Sequence, residues 1–175
     1  MRVALLAMFL MASATSAVET QAPAAPGITI TLDGGGYQRQ QITIQPLVTS
    51  FCNTVWKSSR DPRINHLAVC FDGGSGGPEI QLNVPAVLGP YGFDKIDQKK
   101  AERNPYLGFE FMFDKYGASQ RVYAADHIEV VITRLDPAGG RIEGTLKGTL
   151  SGPQSATVNV TGAFSAVREN DRLVD

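Results

Sequence analysis

Asp126-His127-Ile128-Glu129-Val130-Val131-Ile132-Thr133-Arg134-Leu135-Asp136-Pro137-Ala138-Gly139-Gly140-Arg141-Ile142-Glu143-Gly144-Thr145-Leu146-Lys147-Gly148-Thr149-Leu150-Ser151 is the stretch that decides the fold. Ile128, Val130 and Ile132 alternate with His127, Glu129, Val131 and Thr133. Asp136-Pro137-Ala138-Gly139-Gly140 is turn chemistry between two apolar runs. Ile142, Gly144, Leu146, Gly148 and Leu150 then share one face, with Glu143, Thr145, Lys147 and Thr149 on the other. A period of two is the signature of a half-buried strand. After Ser151-Gly152-Pro153 the pattern repeats through Val158, Val160, Gly162, Phe164 and Ala166, so 126–167 predicts a three-stranded meander. Glycine inside a strand marks close backbone approach or a bulge. Phe164 or the row Phe109, Phe111 and Phe113 is expected to lie over Gly144, Gly148 and Gly162.

The same period extends toward the N-terminus. Ile28, Ile30 and Leu32 alternate with threonines, and Asp33-Gly34-Gly35-Gly36 turns the chain. Gln41 to Gln45 alternates again before Pro46. Residues 47–57 are rich in β-formers, His66 to Phe71 is mostly apolar, and Ile80, Leu82 and Val84 alternate with polar residues. Pro85, Gly89, Pro90 and Gly92 make 85–92 read as irregular, and the charged run 94–103 reads as surface helix or loop. The expected class is all-β, an antiparallel β-sandwich or partly open barrel of about eight or nine strands.

Arg2 followed by the uncharged apolar run 3–11 and small residues to Ala17 reads as a secretory signal peptide. The run is too short to span a bilayer as a helix. The expected organisation is a signal at 1–17, a Pro-containing lead-in at 18–27, a single domain at 28–168 and a polar tail at 169–175. The mature chain of about 158 residues suffices for one domain with a real core. Its charge is balanced: the whole chain holds 16 Lys and Arg against 17 Asp and Glu. No basic stripe speaks for nucleic acid, and no second apolar run reaches membrane length. The expected location is the periplasm or the medium. In either compartment Cys52 and Cys70 are expected to form a disulfide, worth about 3 kcal/mol by loop closure.

Few segments carry chemistry. Gly73-Gly74-Ser75-Gly76-Gly77-Pro78 resembles the Gly-Asp-Ser-Gly-Gly-Pro loop of chymotrypsin-like serine proteases, with Cys70 just upstream. Gly74 stands where that loop has aspartate, and His66 lies only nine residues before Ser75. A triad needs a base in reach of the nucleophile and an acid to orient it, so the plainer reading is a Gly-rich hairpin loop. Asp126 and His127 are strand neighbours and are expected to point to opposite faces. The acidic turns at Asp33 and Asp72 lack the repeated carboxylates of a calcium loop. Asn159-Val160-Thr161 matches the glycosylation triplet but lies within a predicted strand. No catalytic residue, metal or cofactor is expected. Trp56, Tyr91, Phe93, Tyr106, Tyr116 and Tyr123 lie near predicted turns and are expected to cap the open ends of the core, the alternative being a rim of rings that stacks on sugar or grips a partner protein.

Arg141 to Leu150 followed by Gly162-Ala163-Phe164 resembles the closing strands of many small exported bacterial β-sandwich proteins and lipoproteins of unknown function. That resemblance implies a fold and a compartment and transfers no functional residue. The expected function is non-enzymatic binding of an unknown protein or glycan: an envelope component, a toxin or hydrolase to be neutralised, or a saccharide. The expected binding loops are 72–78 and 85–105, with Ser75, Tyr91, Phe93 and Tyr106 as contact residues. The alternatives are a small secreted hydrolase with dispersed catalytic residues and a structural envelope subunit assembling through strand edges.

Overall fold

The computed structural model describes residues 25–47, 51–74, 77–94, 108–113 and 121–174. Among the described residues eleven strands form one sheet: β1 (Gly27–Gly34), β2 (Tyr37–Ile44), β3 (Thr54–Lys57), β4 (His66–Asp72), β5 (Glu79–Pro85), β6 (Gly89–Asp94), β7 (Gly108–Phe113), β8 (Arg121–Leu135), β9 (Arg141–Ser151), β10 (Thr157–Val167) and β11 (Asp171–Leu173). Among the described residues the helical elements are two three-residue 3-10 turns, Pro62–Ile64 and Pro153–Ser155. The all-β expectation holds. The strand order is β11-β3-β4-β5-β7-β8-β9-β10-β1-β2, with β6 pairing β8. Every pairing is antiparallel except that of β11 with β3.

The expected count of eight or nine falls short by two or three, and two of the strands lie where the sequence pattern hides them. β6 lies in the stretch read as irregular. Its glycines and Pro90 obscure the period of two, yet Gly89 to Asp94 pairs in unbroken register with Ile132 to His127. β11 lies in the segment read as a polar tail. It pairs Asp171, Arg172 and Leu173 beside Val55, Trp56 and Lys57. β8 is long enough to hold two partners on one edge, β7 at 121–124 and β6 at 127–132, while β9 occupies the other. The charged run 95–103 lies outside the described residues.

The meander over β8, β9 and β10 is as the alternation predicts. Its inward residues Ile128, Val130, Ile132, Ile142, Leu146, Leu150, Val158, Val160 and Phe164 are buried. A Cβ placed on Gly144 meets the Phe164 ring at 2.5 Å, so glycine there is the space that seats the ring. Gly148 and Gly162 differ from the expectation: the atoms nearest a Cβ there are the His127 carbonyl and Ile128, and the Thr29 carbonyl and Ile30, across the ladder. The β8–β9 register shifts between Ala125 and His127, so Asp126 sits in a bulge, where its carboxylate accepts a hydrogen bond from Ser151 Oγ.

The sheet curls into a half-barrel. Phe71 of β4 and Phe164 of β10, with four strands between them in the sheet, meet edge to face with ring centroids 6.0 Å apart. The Tyr37 and Tyr123 hydroxyls, from β2 and β8, lie 3.1 Å apart. Beyond β2, the Leu47 amide donates to the Cys70 carbonyl and the Asp72 amide to the Gln45 carbonyl. The concave side holds the apolar core, and the convex side of β3, β4 and β5 is left to carry other chemistry.

Candidate functional site

The site grows from a short, stapled hairpin. Cys52 and Cys70 lie at bonding distance, with Cα atoms 5.3 Å apart. Asn53 follows in the left-handed region (φ 53°), a conformation asparagine tolerates better than most residues. Its buried Nδ2 donates to the Leu47 carbonyl, and its own carbonyl accepts from the Glu169 amide. These contacts turn the chain into β3, which pairs Thr54, Val55 and Trp56 with Ala68, Leu67 and His66. Val55 and Leu67 point into the core, so Trp56, His66 and Ala68 share the convex face.

The C-terminal segment fixes the outer edge of this hairpin. Arg168, only 8% exposed, donates through Nη1 to the Asp136 carbonyl and through Nη2 to the Asp171 carboxylate. Lys57 holds the same carboxylate from the other side at 2.5 Å. The hydrogen bond from Lys57, then that from Arg168, holds the Asp171 carboxyl below its usual range. With β11 anchored, Arg172 sits beside Trp56, its guanidinium 5.8 Å from the Trp56 centroid and 5.6 Å from that of Phe51. Both distances are within cation–π range.

Three rings run nearly parallel. Trp56 stacks on Phe51 at 6.1 Å and 8° and on His66 at 6.2 Å and 9°. Phe51 is 63% exposed, Trp56 is half-buried and His66 is buried. The Ile64 carbonyl can only accept, so His66 Nδ1–H donates to it at 3.1 Å and Nε2 is the acceptor nitrogen. Burial pushes the His66 imidazole below its ordinary pKa, and the bond to Ile64 opposes this only in part. The ring is therefore neutral at pH 7.

Beside the rings lies a groove of about 400 Å³, lined by Phe51, Trp56, His66, Ala68, Gln81, Asn83 and Val174. The β4–β5 register explains it. Ala68 pairs with Asn83 and Cys70 with Gln81, so a methyl floor lies between the ring stack and two amide side chains. None of the lining side chains carries a charge once His66 is neutral. Two charges of opposite sign flank it: Arg172 beside Trp56, and exposed Glu110, which pairs with Gln81 from β7; the buried Glu79 shares the face of β5 with Gln81 and Asn83.

Of the expected contact residues Ser75, Tyr91, Phe93 and Tyr106, the described residues include Tyr91 and Phe93. Ser75 and Tyr106 lie outside the described residues, as does Tyr116. Phe93 is in β6, opposite Ile128. Tyr91 packs against the core, and its hydroxyl donates toward the Val87 and Leu88 carbonyls, which ties the β5–β6 turn. Tyr123 is a core residue beside Phe111. At the described ends of the 72–78 segment, Asp72 Oδ1 accepts from the Gly74 amide, and the Gly73 amide donates to the Pro78 carbonyl. His66 begins β4 and this segment follows its end, about 20 Å away at strand rise. Among the described residues, Trp56 is the aromatic candidate that lines the groove. Phe51, His66, Gln81 and Asn83 were not picked out as binding residues.

Among the described residues no group of three or more His, Cys, Asp and Glu is placed to hold a metal, and no helix is long and apolar enough to cross a membrane. No family model, curated protein or solved structure matches the chain.

Proposed function

We propose that this is an exported, non-enzymatic binding protein, and that it recognises its partner through the convex face of β3, β4 and β5. One observation carries the reading. Three parallel rings, two side-chain amides and an alanine floor form one open groove on the face that the core does not use. Exposed aromatic surface beside satisfiable polar groups is the composition of binding sites. The structural expense around it supports the same reading. A cystine, a left-handed Asn53 and a buried Arg168 all converge on a hairpin only four residues wide at β3. Export is supported by the apolar leader and by the paired cysteines. We also read the curled sheet as a partly open barrel, supported by the two backbone hydrogen bonds that join 45–47 to β4.

The test is retention. The oxidised protein and its Ala68→Leu variant, whose added side chain fills the groove floor, are immobilised and passed over envelope and culture-fluid extracts. The reading expects a component retained by the first and lost from the second. Identical retention profiles would contradict it.

A further inference from the structure

We infer that the groove takes a neutral, ring-shaped polyhydroxylated ligand, a pyranose unit of an uncharged glycan; this rests on the convex face being the recognition face. The chemistry is complementary on three sides. The apolar C–H face of a pyranose needs a flat ring to lie on; His66 is buried and Trp56 is half-buried between its stacking neighbours, so Phe51, 63% exposed, supplies the open aromatic surface of the stack. Its hydroxyls need partners that both donate and accept. The amides of Gln81 and Asn83 each do so, and a hydroxyl can bridge them in either sense. The ring needs depth between those walls, and Ala68 provides it, because a larger side chain at the floor would fill the space. A volume of about 400 Å³ lies at the lower end of small-ligand sites, which run from about 300 to 1,000 Å³.

Electrostatics select against charged ligands. Among the described residues the lining offers amides, rings and aliphatic groups, with no carboxylate or ammonium to pair with an ion. Arg172 on one flank and Glu110 on the other have opposite signs, so an anionic sugar attracted to one is repelled from the other. A peptide strand is less well served. β3, β4 and β5 pair with neighbours on both edges here, so the groove floor presents side chains and no unpaired backbone edge to an incoming chain.

The test titrates the oxidised full-length chain with neutral homo-oligosaccharides of glucose, mannose, galactose and N-acetylglucosamine. Uronic-acid and sulfated oligosaccharides are run alongside, with binding read by calorimetry. Ala68→Leu and Gln81→Leu serve as groove variants, and the intact disulfide and near-UV dichroism confirm that each folds. At least one neutral series is expected to bind, with loss in Ala68→Leu and about tenfold weaker binding in Gln81→Leu from one lost hydrogen bond. Gln81→Leu keeps the test decisive if Ala68→Leu fails to fold. Binding of charged sugars alone overturns the inference, as does neutral binding that both variants retain. If no sugar binds while Ala68-dependent retention of another component persists, the ligand class is wrong and the recognition face stands. If neither occurs, both readings fall.

Discussion

β9 and β10 pair across eleven successive positions, whereas β3 and β4 pair across three. The two regions belong to one sheet but are held by different means. The β8–β9–β10–β1 side rests on long hydrogen-bond ladders and an alternating apolar face, so its order is spread over many small contributions. The β3–β4–β11 side has too few rungs for that. It depends on a cystine, one left-handed residue and a buried arginine that bonds two segments at once. A short, individually stapled hairpin can present polar and aromatic side chains on its outer face without carrying the stability of the whole sheet. The division explains why the groove lies where the ladder is thinnest.

The largest expected effect is on the ladder side. Phe164 is fully buried, fills the space over Gly144 and meets Phe71 across the curl. Phe164→Ala is expected to cost about 3–5 kcal/mol in denaturant unfolding. A loss under about 1 kcal/mol would mean that the walls of the half-barrel do not share a core. Replacing both Cys52 and Cys70 by serine comes next, at about 3 kcal/mol. Hydrogen exchange should separate the two regions in this variant. Amides of β3 and the start of β4 are expected to lose protection while the β9–β10 ladder keeps its own. Uniform loss across the sheet would break the distinction.

Arg168→Ala is expected to cost about 2 kcal/mol, since it removes a buried charged donor from the Asp136 carbonyl and from Asp171. Its mark should be increased exchange at β11 and an altered environment at Trp56. The smallest effect concerns pH. His66 has a folded pKa below its ordinary value of 6.5, chiefly through burial, so the unfolded chain binds the proton more readily. The contribution of His66 is then complete above pH 6.5 and declines as pH falls through the interval down to the folded pKa. His66→Phe should flatten that part of the stability–pH curve. An unchanged slope would show that His66 is not desolvated as described.

The contrast also governs what could be read from the chain alone. On the ladder side the period of two is nearly free of interruption, and the strands from 126 to 167 follow directly from it. β6 and β11 were missed because their pairing is imposed by neighbours: β6 by the unused length of β8, β11 by the Arg168 clamp. Neither has an alternation of its own. The site was largely illegible, because its residues come from four segments and the groove exists only once β4 and β5 are in register. One signal was nonetheless present. If Cys52 faces Cys70 across an antiparallel pair, stepping four residues inward from each cysteine brings Trp56 opposite His66, and stepping two brings Thr54 opposite Ala68. The cystine therefore specified both the ring stack and the floor.

Trp56 is the single tryptophan of the chain and stands in the groove wall, so its fluorescence reports on the proposed recognition face without a label. The most direct measurement is Trp56 emission during titration with a component retained by the protein and not by Ala68→Leu, compared with calorimetry on the same sample. The account predicts a saturable change in emission whose midpoint matches the calorimetric Kd and which is absent in Ala68→Leu. Binding detected by heat while Trp56 emission stays constant would place recognition elsewhere and contradict the account.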